Sequence, residues 1–125
     1  MPDERMEGDM GAPLLRLGVR LVNRTVVITA VGDIDIATAP TLRAELLRQV
    51  DADVDTVILD LSKVAFMDSS GLGVVIAAVN RTTSRGIRFS VVCPAGKLRR
   101  IFEITGVATR VAMSDSLDMA MGAPA

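Results

Sequence analysis

The residues best suited to chemistry in this sequence are the acid and the hydroxyls of the segment Asp68-Ser69-Ser70-Gly71. One apolar stretch ends just before this segment and another begins just after it, which predicts a sharp turn followed by a helix. A serine hydroxyl at the start of a helix can cap the helix backbone, or it can carry a phosphoryl group. Ser69 is therefore a candidate both for a helix cap and for a phosphorylation site.

The composition argues against most other chemistries. The chain contains no histidine, which removes the Ser-His-Asp triad, the Cys-His pair, histidine phosphorelay and most zinc sites. Its one cysteine, Cys93, lies in an apolar run and is expected to be a small buried side chain rather than a reactive thiol. We therefore expect no catalytic residue, no metal, no cofactor and no enzymatic activity.

Charge and aromatic content give no support to a nucleic-acid partner. The chain has 14 basic and 15 acidic residues, three Phe, no Trp and no Tyr, so it lacks both a basic excess and stacking side chains. No apolar run reaches the roughly 18 residues of a membrane span. The N-terminus lacks the basic-then-apolar pattern of a signal peptide. We expect a cytoplasmic protein that does not associate with membranes.

The elements that must position Ser69 follow from the apolar patterns along the chain. Residues 1–13 are predicted to form a flexible arm, and residues 14–122 a single domain. Strands are predicted over 14–22, 25–31, 54–59, 87–92 and 109–113, and helices over 39–50, 72–85 and 95–105, with a short last helix capped by Ser114. The fold class is α/β, with a mixed, mostly parallel sheet of about five strands, an N-terminal antiparallel hairpin and about four helices.

Two predicted loops lead to the same edge of this sheet. The segment 32–35 is predicted to end the second strand, and Thr38 to cap the helix that follows. A short loop is predicted between the third strand and Asp68, and either Asp68 or Ser69 is expected to cap the next helix. Because right-handed crossovers bring the carboxyl ends of parallel strands to one edge, the 32–35 loop and the 68–73 turn should be neighbours there.

A phosphate on a hydroxyl at this edge would act mainly on the surface. The positive end of a helix dipole stabilises an anion, so phosphorylation need not unfold the helix. Its charge would instead add to that of Asp33, Asp35 and Asp68. The placement therefore favours a switch on partner binding over a switch on folding.

Three segments of the chain resemble a known family. They are Gly32 to Asp35 (GDID), Asp60 to Gly73 (DLSKVAFMDSSGLG) and Leu98 to Val107 (LRRIFEITGV). In content and order they are similar to bacterial anti-sigma factor antagonists of the STAS family, over roughly residues 16–121. The middle segment is the most specific of the three. The resemblance implies a STAS-type fold.

The resemblance also implies a function. It implies that the chain binds an anti-sigma factor that is also a serine kinase, and thereby releases a sigma factor. It implies that phosphorylation at Ser69 switches this binding off and that a phosphatase acting on phospho-Ser69 restores it. The residues then expected to bind the partner are Asp35, Asp68, Ser69, Ser70, Gly71 and Leu72.

Other interpretations stay open at this point. A STAS subunit of a transporter or of a stress-signalling scaffold would share the fold without a sigma-factor role. Ser69 could be a helix cap alone, and Asp33 and Asp35 could serve only to form a turn. A serine hydrolase is not supported, because the chain lacks both the G-x-S-x-G elbow and any histidine.

Overall fold

The computed structural model describes residues 15–122, which form a five-stranded mixed sheet with helices on both faces. The elements in chain order are β1 (Leu15–Val22), β2 (Thr25–Ile34), α1 (Ala39–Val50), β3 (Thr56–Met67), α2 (Ser69–Ser84), β4 (Arg88–Val92), α3 (Lys97–Ile104), β5 (Ala112–Ser114) and α4 (Leu117–Ala120). The strands lie in the order β1-β2-β3-β4-β5; β1 is antiparallel to β2 and the other neighbours are parallel. The predicted fold class is confirmed. The predicted arm, residues 1–13, lies outside the described residues.

The main apolar core lies between one face of the sheet and helices α1, α2 and α3. The helical spacing of Leu42, Leu46 and Val50 places all three on the buried face of α1. Phe102 supplies the buried side chain of α3. Fully burying a side chain of this size stabilises the fold by about 1.5–3 kcal/mol. This core packs α1 and α2 against the sheet.

The second face of the sheet has a smaller cover. Val27, Ile58 and Val92 form a separate buried cluster on this face, packed under Leu117 and Ala120. Both covering residues belong to α4, of which they are the first and the last residue. Ser116 caps this helix, because its Oγ accepts a hydrogen bond from the Met119 N–H at 3.2 Å. The prediction that Ser114 caps it was wrong, since Ser114 is the last residue of β5.

The second strand continues further than predicted. Gly32 and Asp33 do not end β2, which runs on to Ile34. The pairing with β3 instead shifts register twice, once between Thr29 and Val31 and again between Gly32 and Asp33. Gly32 has a φ of +123°, a conformation that only glycine adopts readily. The glycine therefore allows an irregularity within the strand where the sequence suggested a break.

The third strand is also longer than predicted. The predicted loop after Leu59 is in fact the second half of β3, which reaches Met67. The polar residues of this half suggested a loop, but several of them point to solvent while Val64 and Met67 point to the core. Only β2 pairs with this half among the described residues, because the pairing with β4 ends at Asp60. None of the helices between residues 15 and 122 is long and apolar enough to cross a membrane.

Candidate functional site at the carboxyl edge of the sheet

Asp68 caps the helix that carries the two serines. Its backbone is extended, and its Oδ1 accepts hydrogen bonds from the backbone N–H groups of Ser70 at 2.8 Å and Gly71 at 3.4 Å. The carboxylate thus satisfies two of the N–H groups that a helix leaves free at its start. Of the two residues expected to cap α2, Asp68 makes the cap.

Ser69 is the first residue of α2 and is exposed, whereas Ser70 is half-buried. The N–H groups at this end of the helix turn towards Asp68 rather than towards the Ser69 side chain. Capping therefore does not account for a hydroxyl at position 69. A kinase could reach this hydroxyl more readily than that of Ser70, because Ser69 lies at the surface.

Gly71 and Leu72 serve the packing of α2. Gly71 is buried, and a Cβ atom placed there would lie 2.5 Å from Met67 Cγ and 2.8 Å from Ile34 Cγ2. Both distances are far below a normal carbon–carbon contact. Leu72 is half-buried and packs against the core. The missing side chain at Gly71 therefore lets the start of α2 approach the ends of β2 and β3.

Asp35 forms the turn between β2 and α1. Its Oδ1 accepts hydrogen bonds from the N–H groups of Ala37 at 2.9 Å and Thr38 at 3.0 Å, and its carbonyl accepts one from Ala39 at 2.7 Å. These bonds satisfy backbone groups ahead of the first turn of α1, as aspartate commonly does in such turns. A turn role for Asp35 is thus present, whether or not the residue also contacts a partner.

Thr38 has a different role from the predicted one. It precedes α1 but makes no side-chain cap bond to the helix. Its Oγ1 instead donates to the Asp33 carbonyl at 2.8 Å and accepts from the Asp35 N–H at 2.9 Å. The threonine therefore ties both sides of the 33–38 loop together. The spacing Asp-x-x-Thr at 35–38 was the available signal for this arrangement.

The two loops are neighbours, as the topology predicted. Ile34 and Met67 are partners in the parallel pairing of β2 with β3. The next residue after Met67, Asp68, donates its backbone N–H to the Ile34 carbonyl at 3.1 Å. The turn at Asp35 and the cap at Asp68 thus directly follow two paired positions. Their carboxylates bring negative charge to the same edge of the sheet.

Two exposed apolar side chains at this edge were missed by the sequence interpretation. Ile36, in the turn after Asp35, is 79% exposed, and Phe66, paired in register with Asp33, is 53% exposed. An isoleucine inside a polar turn was the available signal for the first. Simple strand alternation does not predict the second, because Val64 lies two residues before Phe66 and is buried. We use the name edge surface for Asp35, Ile36, Phe66, Asp68 and Ser69.

These features define a class: a small α/β domain with a capped helix start and an exposed serine at one sheet edge. A family model of the STAS domain matches residues 17–120, and the chain belongs to this family. The anti-sigma-B factor antagonist of Listeria monocytogenes is 36% identical to it over 81 residues, covering 64% of this chain and 70% of the relative. Other relatives, from Bacillus subtilis and Mycobacterium tuberculosis, are likewise named anti-sigma factor antagonists.

Solved structures show the same fold. An anti-sigma factor antagonist from Mycobacterium paratuberculosis superimposes with a TM-score of 0.81 at 27% identity, covering 86% of this chain and 92% of that chain. The phosphorylated form of the Bacillus cell fate determinant SpoIIAA superimposes with a TM-score of 0.68 at 25% identity, covering 86% and 97%. A protein similar to this chain therefore exists in a phosphorylated form.

Proposed function

We propose that this chain is an anti-sigma factor antagonist whose edge surface binds an anti-sigma factor with serine kinase activity. Binding releases the sigma factor held by that protein. Phosphorylation of Ser69 switches the binding off, and a phosphatase acting on phospho-Ser69 restores it. The observation that carries the proposal is the exposed Ser69 at a helix start already capped by Asp68, in a chain whose relatives are anti-sigma factor antagonists.

The proposed switch works through charge at the edge surface. A phosphoryl group adds about −1.5 to −2 charges at neutral pH. It would be attached next to the Asp68 carboxylate, whose Oδ1 already accepts the N–H groups of Ser70 and Gly71. The helix dipole would therefore stabilise the phosphate, but those two N–H groups would not bind it. Because Ser69 is exposed, the charge of the phosphate would face the solvent. A partner that fits the unmodified surface would meet both new bulk and new charge.

The apolar part of the edge surface supports a protein partner. Ile36 is large and exposed in the turn after Asp35, and Phe66 is large and exposed two residues before Asp68. Apolar anchors bordered by charge are typical of protein–protein contacts. We propose that Asp35, Asp68, Ser70 and Leu72 act with Ser69 in this contact, and that Gly71 acts through its packing beneath the surface.

The test uses the purified chain and the anti-sigma factor of the same organism. With ATP, we expect one phosphoryl group on Ser69, located by mass spectrometry, and none on Ser69→Ala. The Ser70→Ala variant is the matched control and should still be phosphorylated. In titration calorimetry without ATP, Ser69→Glu should bind at least about tenfold more weakly than the unmodified chain, a change of 1.4 kcal/mol.

Two results would contradict the proposal. One is that the unmodified chain shows no detectable binding to the anti-sigma factor. The other is phosphorylation that proceeds equally well on Ser69→Ala. A complex that forms with a transport protein instead would favour the alternative role of a transporter subunit.

A further inference from the structure

Strand β1 is the outermost strand at one end of the sheet, and its outer side does not belong to the edge surface around Ser69. Within residues 15–122, β1 pairs with β2 alone, so its outer side presents backbone N–H and C=O groups without a strand partner. Such a row of groups is a template for pairing with another strand. The strand also carries exposed apolar side chains, since Val19 is 46% exposed and Leu21 is 64% exposed.

The hairpin geometry identifies which backbone groups point outwards. Val22 and Thr25 pair directly across the two-residue turn, and a pair in that position exchanges both of its hydrogen bonds. Alternation along the strand then directs the N–H and C=O groups of Leu17, Val19 and Leu21 away from β2. The side chains of these three residues share the helix side of the sheet, because Leu17 packs against the core there.

The charges of β1 restrict how two copies of it can pair. Arg16 and Arg20 lie on the other side of the strand, and like charges directly opposite each other destabilise a pair of strands. An antiparallel pairing with its two-fold axis at Gly18 would place Arg16 opposite Arg20. An axis at Arg20 would place that arginine opposite its own copy. Both registers are therefore disfavoured.

A two-fold axis at Val19 avoids every such clash. It pairs Val19 with Val19, Leu17 with Leu21, Arg16 with Val22, and Gly18 with Arg20, and it joins the outward-facing backbone groups of both copies. It also pairs the whole of residues 16–22, the longest stretch of β1 that any register without opposed arginines can use. In this register β1 can therefore pair with a second copy of itself without directly opposed arginines.

We propose that β1 joins two copies of this chain edge to edge, in the antiparallel register centred on Val19. The five strands of each copy then form one continuous sheet. In this register, Leu21 of the second copy lies beside Leu17, at a groove that is also lined by Pro40 and Ala44 of α1. The most exposed apolar side chain of β1 therefore meets an apolar surface of the other copy.

The same arrangement fixes the positions of the two Ser69 residues. The second copy runs in the opposite direction, so its edge surface lies at the opposite edge of the joint sheet. Pairing through β1 leaves both edge surfaces open, and the dimer presents two of them. This inference does not depend on the function proposed above.

Sedimentation analysis of the full chain over a concentration series tests the pairing. We expect the mean mass to rise with concentration towards twice the monomer mass, because dimer formation follows mass action. Val19→Lys should restore the monomer mass, because it places two ammonium groups on the two-fold axis. Arg20→Ser is the matched control and should keep the dimer, since Arg20 faces Gly18. Monomer mass across the whole series, or a dimer that persists in Val19→Lys, would overturn the proposal.

Disulfide trapping tests the register and does not require a stable Val19→Lys variant. Paired residues of antiparallel strands lie about 4.5–5.5 Å apart between Cα atoms, within the range that a disulfide spans. Under mild oxidation, Val19→Cys should therefore form a covalent dimer, and the native Cys93 is buried. Leu21→Cys should not, because its two copies would be about 13 Å apart along the strand. Equal cross-linking of the two variants would contradict the register.

Discussion

Gly71 and Gly73 lie two residues apart on α2 but have opposite surroundings. At Gly71 a Cβ atom would overlap Met67 Cγ at 2.5 Å and Ile34 Cγ2 at 2.8 Å, and part of that contact is with a branched, buried side chain. At Gly73 a Cβ atom would meet no atom within 4 Å. Substitution at Gly71 therefore tests the close packing of α2, whereas substitution at Gly73 tests only the low helix propensity of glycine.

Substituting alanine at each position should change stability in opposite directions. Gly71→Ala should lower the free energy of unfolding by about 1–3 kcal/mol, because α2 must move away from the strand ends. Gly73→Ala should raise it by about 0.5–1 kcal/mol, because alanine favours a helix over glycine. Urea unfolding of both variants, with the unchanged chain beside them, measures the difference. A neutral Gly71→Ala would show that the close approach of α2 is not required.

Asp35 and Asp33 contribute differently to the hydrogen bonds of the 33–38 loop. Asp35 accepts the N–H groups of Ala37 and Thr38, whereas Asp33 contributes its backbone carbonyl to the same loop. Asp35→Ala should therefore cost about 1 kcal/mol of stability, the usual net contribution of a hydrogen bond of this kind. Asp33→Ala is the control and should change stability by less than about 0.5 kcal/mol. Thermal unfolding of both variants decides between these roles.

At the scale of the element, α2 depends on the cap at its start. Asp68→Ala removes the acceptor of the Ser70 and Gly71 N–H groups and should cost about 1 kcal/mol. Ser69→Ala should leave stability within about 0.5 kcal/mol of the unchanged chain, since Ser69 is exposed and is not the cap. Denaturant midpoints of the two variants give the comparison. A larger loss for Ser69→Ala than for Asp68→Ala would return the capping role to Ser69.

The elements also show how far the sequence could predict the site. The hairpin, α1, α2 and the parallel order followed from apolar spacing, because these elements bury one regular face in the core. The second half of β3 did not follow, because Ser62 and Lys63 are exposed and read as a loop in isolation. Their strand is formed by pairing with β2 across an irregular register, which is a non-local interaction.

The choice between Asp68 and Ser69 as cap could not be made from the sequence either. Both residue types favour the position before a helix, and the choice depends on which residue has the extended backbone. Asp68 has it because its N–H bonds to the Ile34 carbonyl, which continues the β2–β3 pairing by one residue. The pairing of β3 with β2 thus ends at Asp68, which makes Asp68 the cap and leaves Ser69 as the exposed first residue of α2.

At the scale of the whole molecule, the buried thiol of Cys93 should make the stability of the fold depend on pH in the alkaline range. It follows β4, is 2% exposed, and its thiol belongs to the main core. Burial raises the pKa of the Cys93 thiol, and the charge of Arg99, whose Nη1 donates to the Cys93 carbonyl at 2.8 Å, opposes the rise only in part. The predicted buried cysteine is confirmed, and its thiol should be unreactive while the fold is closed.

The direction of the pH effect follows from the raised pKa. The thiol of the unfolded chain loses its proton near pH 8.5, whereas the folded chain keeps it to a higher pH. Between these two values the folded state binds more protons, so the free energy of unfolding falls as pH rises, by at most about 1.4 kcal/mol per pH unit. The chain has no tyrosine and no histidine to titrate beside it in this range.

Urea unfolding at a series of pH values from about 7.5 to 10 measures this effect, with Cys93→Ala as the matched variant. Cys93→Ala should be less stable at pH 7.5, because it leaves a small cavity in the core, but its stability should fall less steeply above pH 8.5. The two curves should therefore converge as pH rises. Parallel curves would show that the decline comes from other groups, such as the lysines, and that the thiol titrates alike in both states.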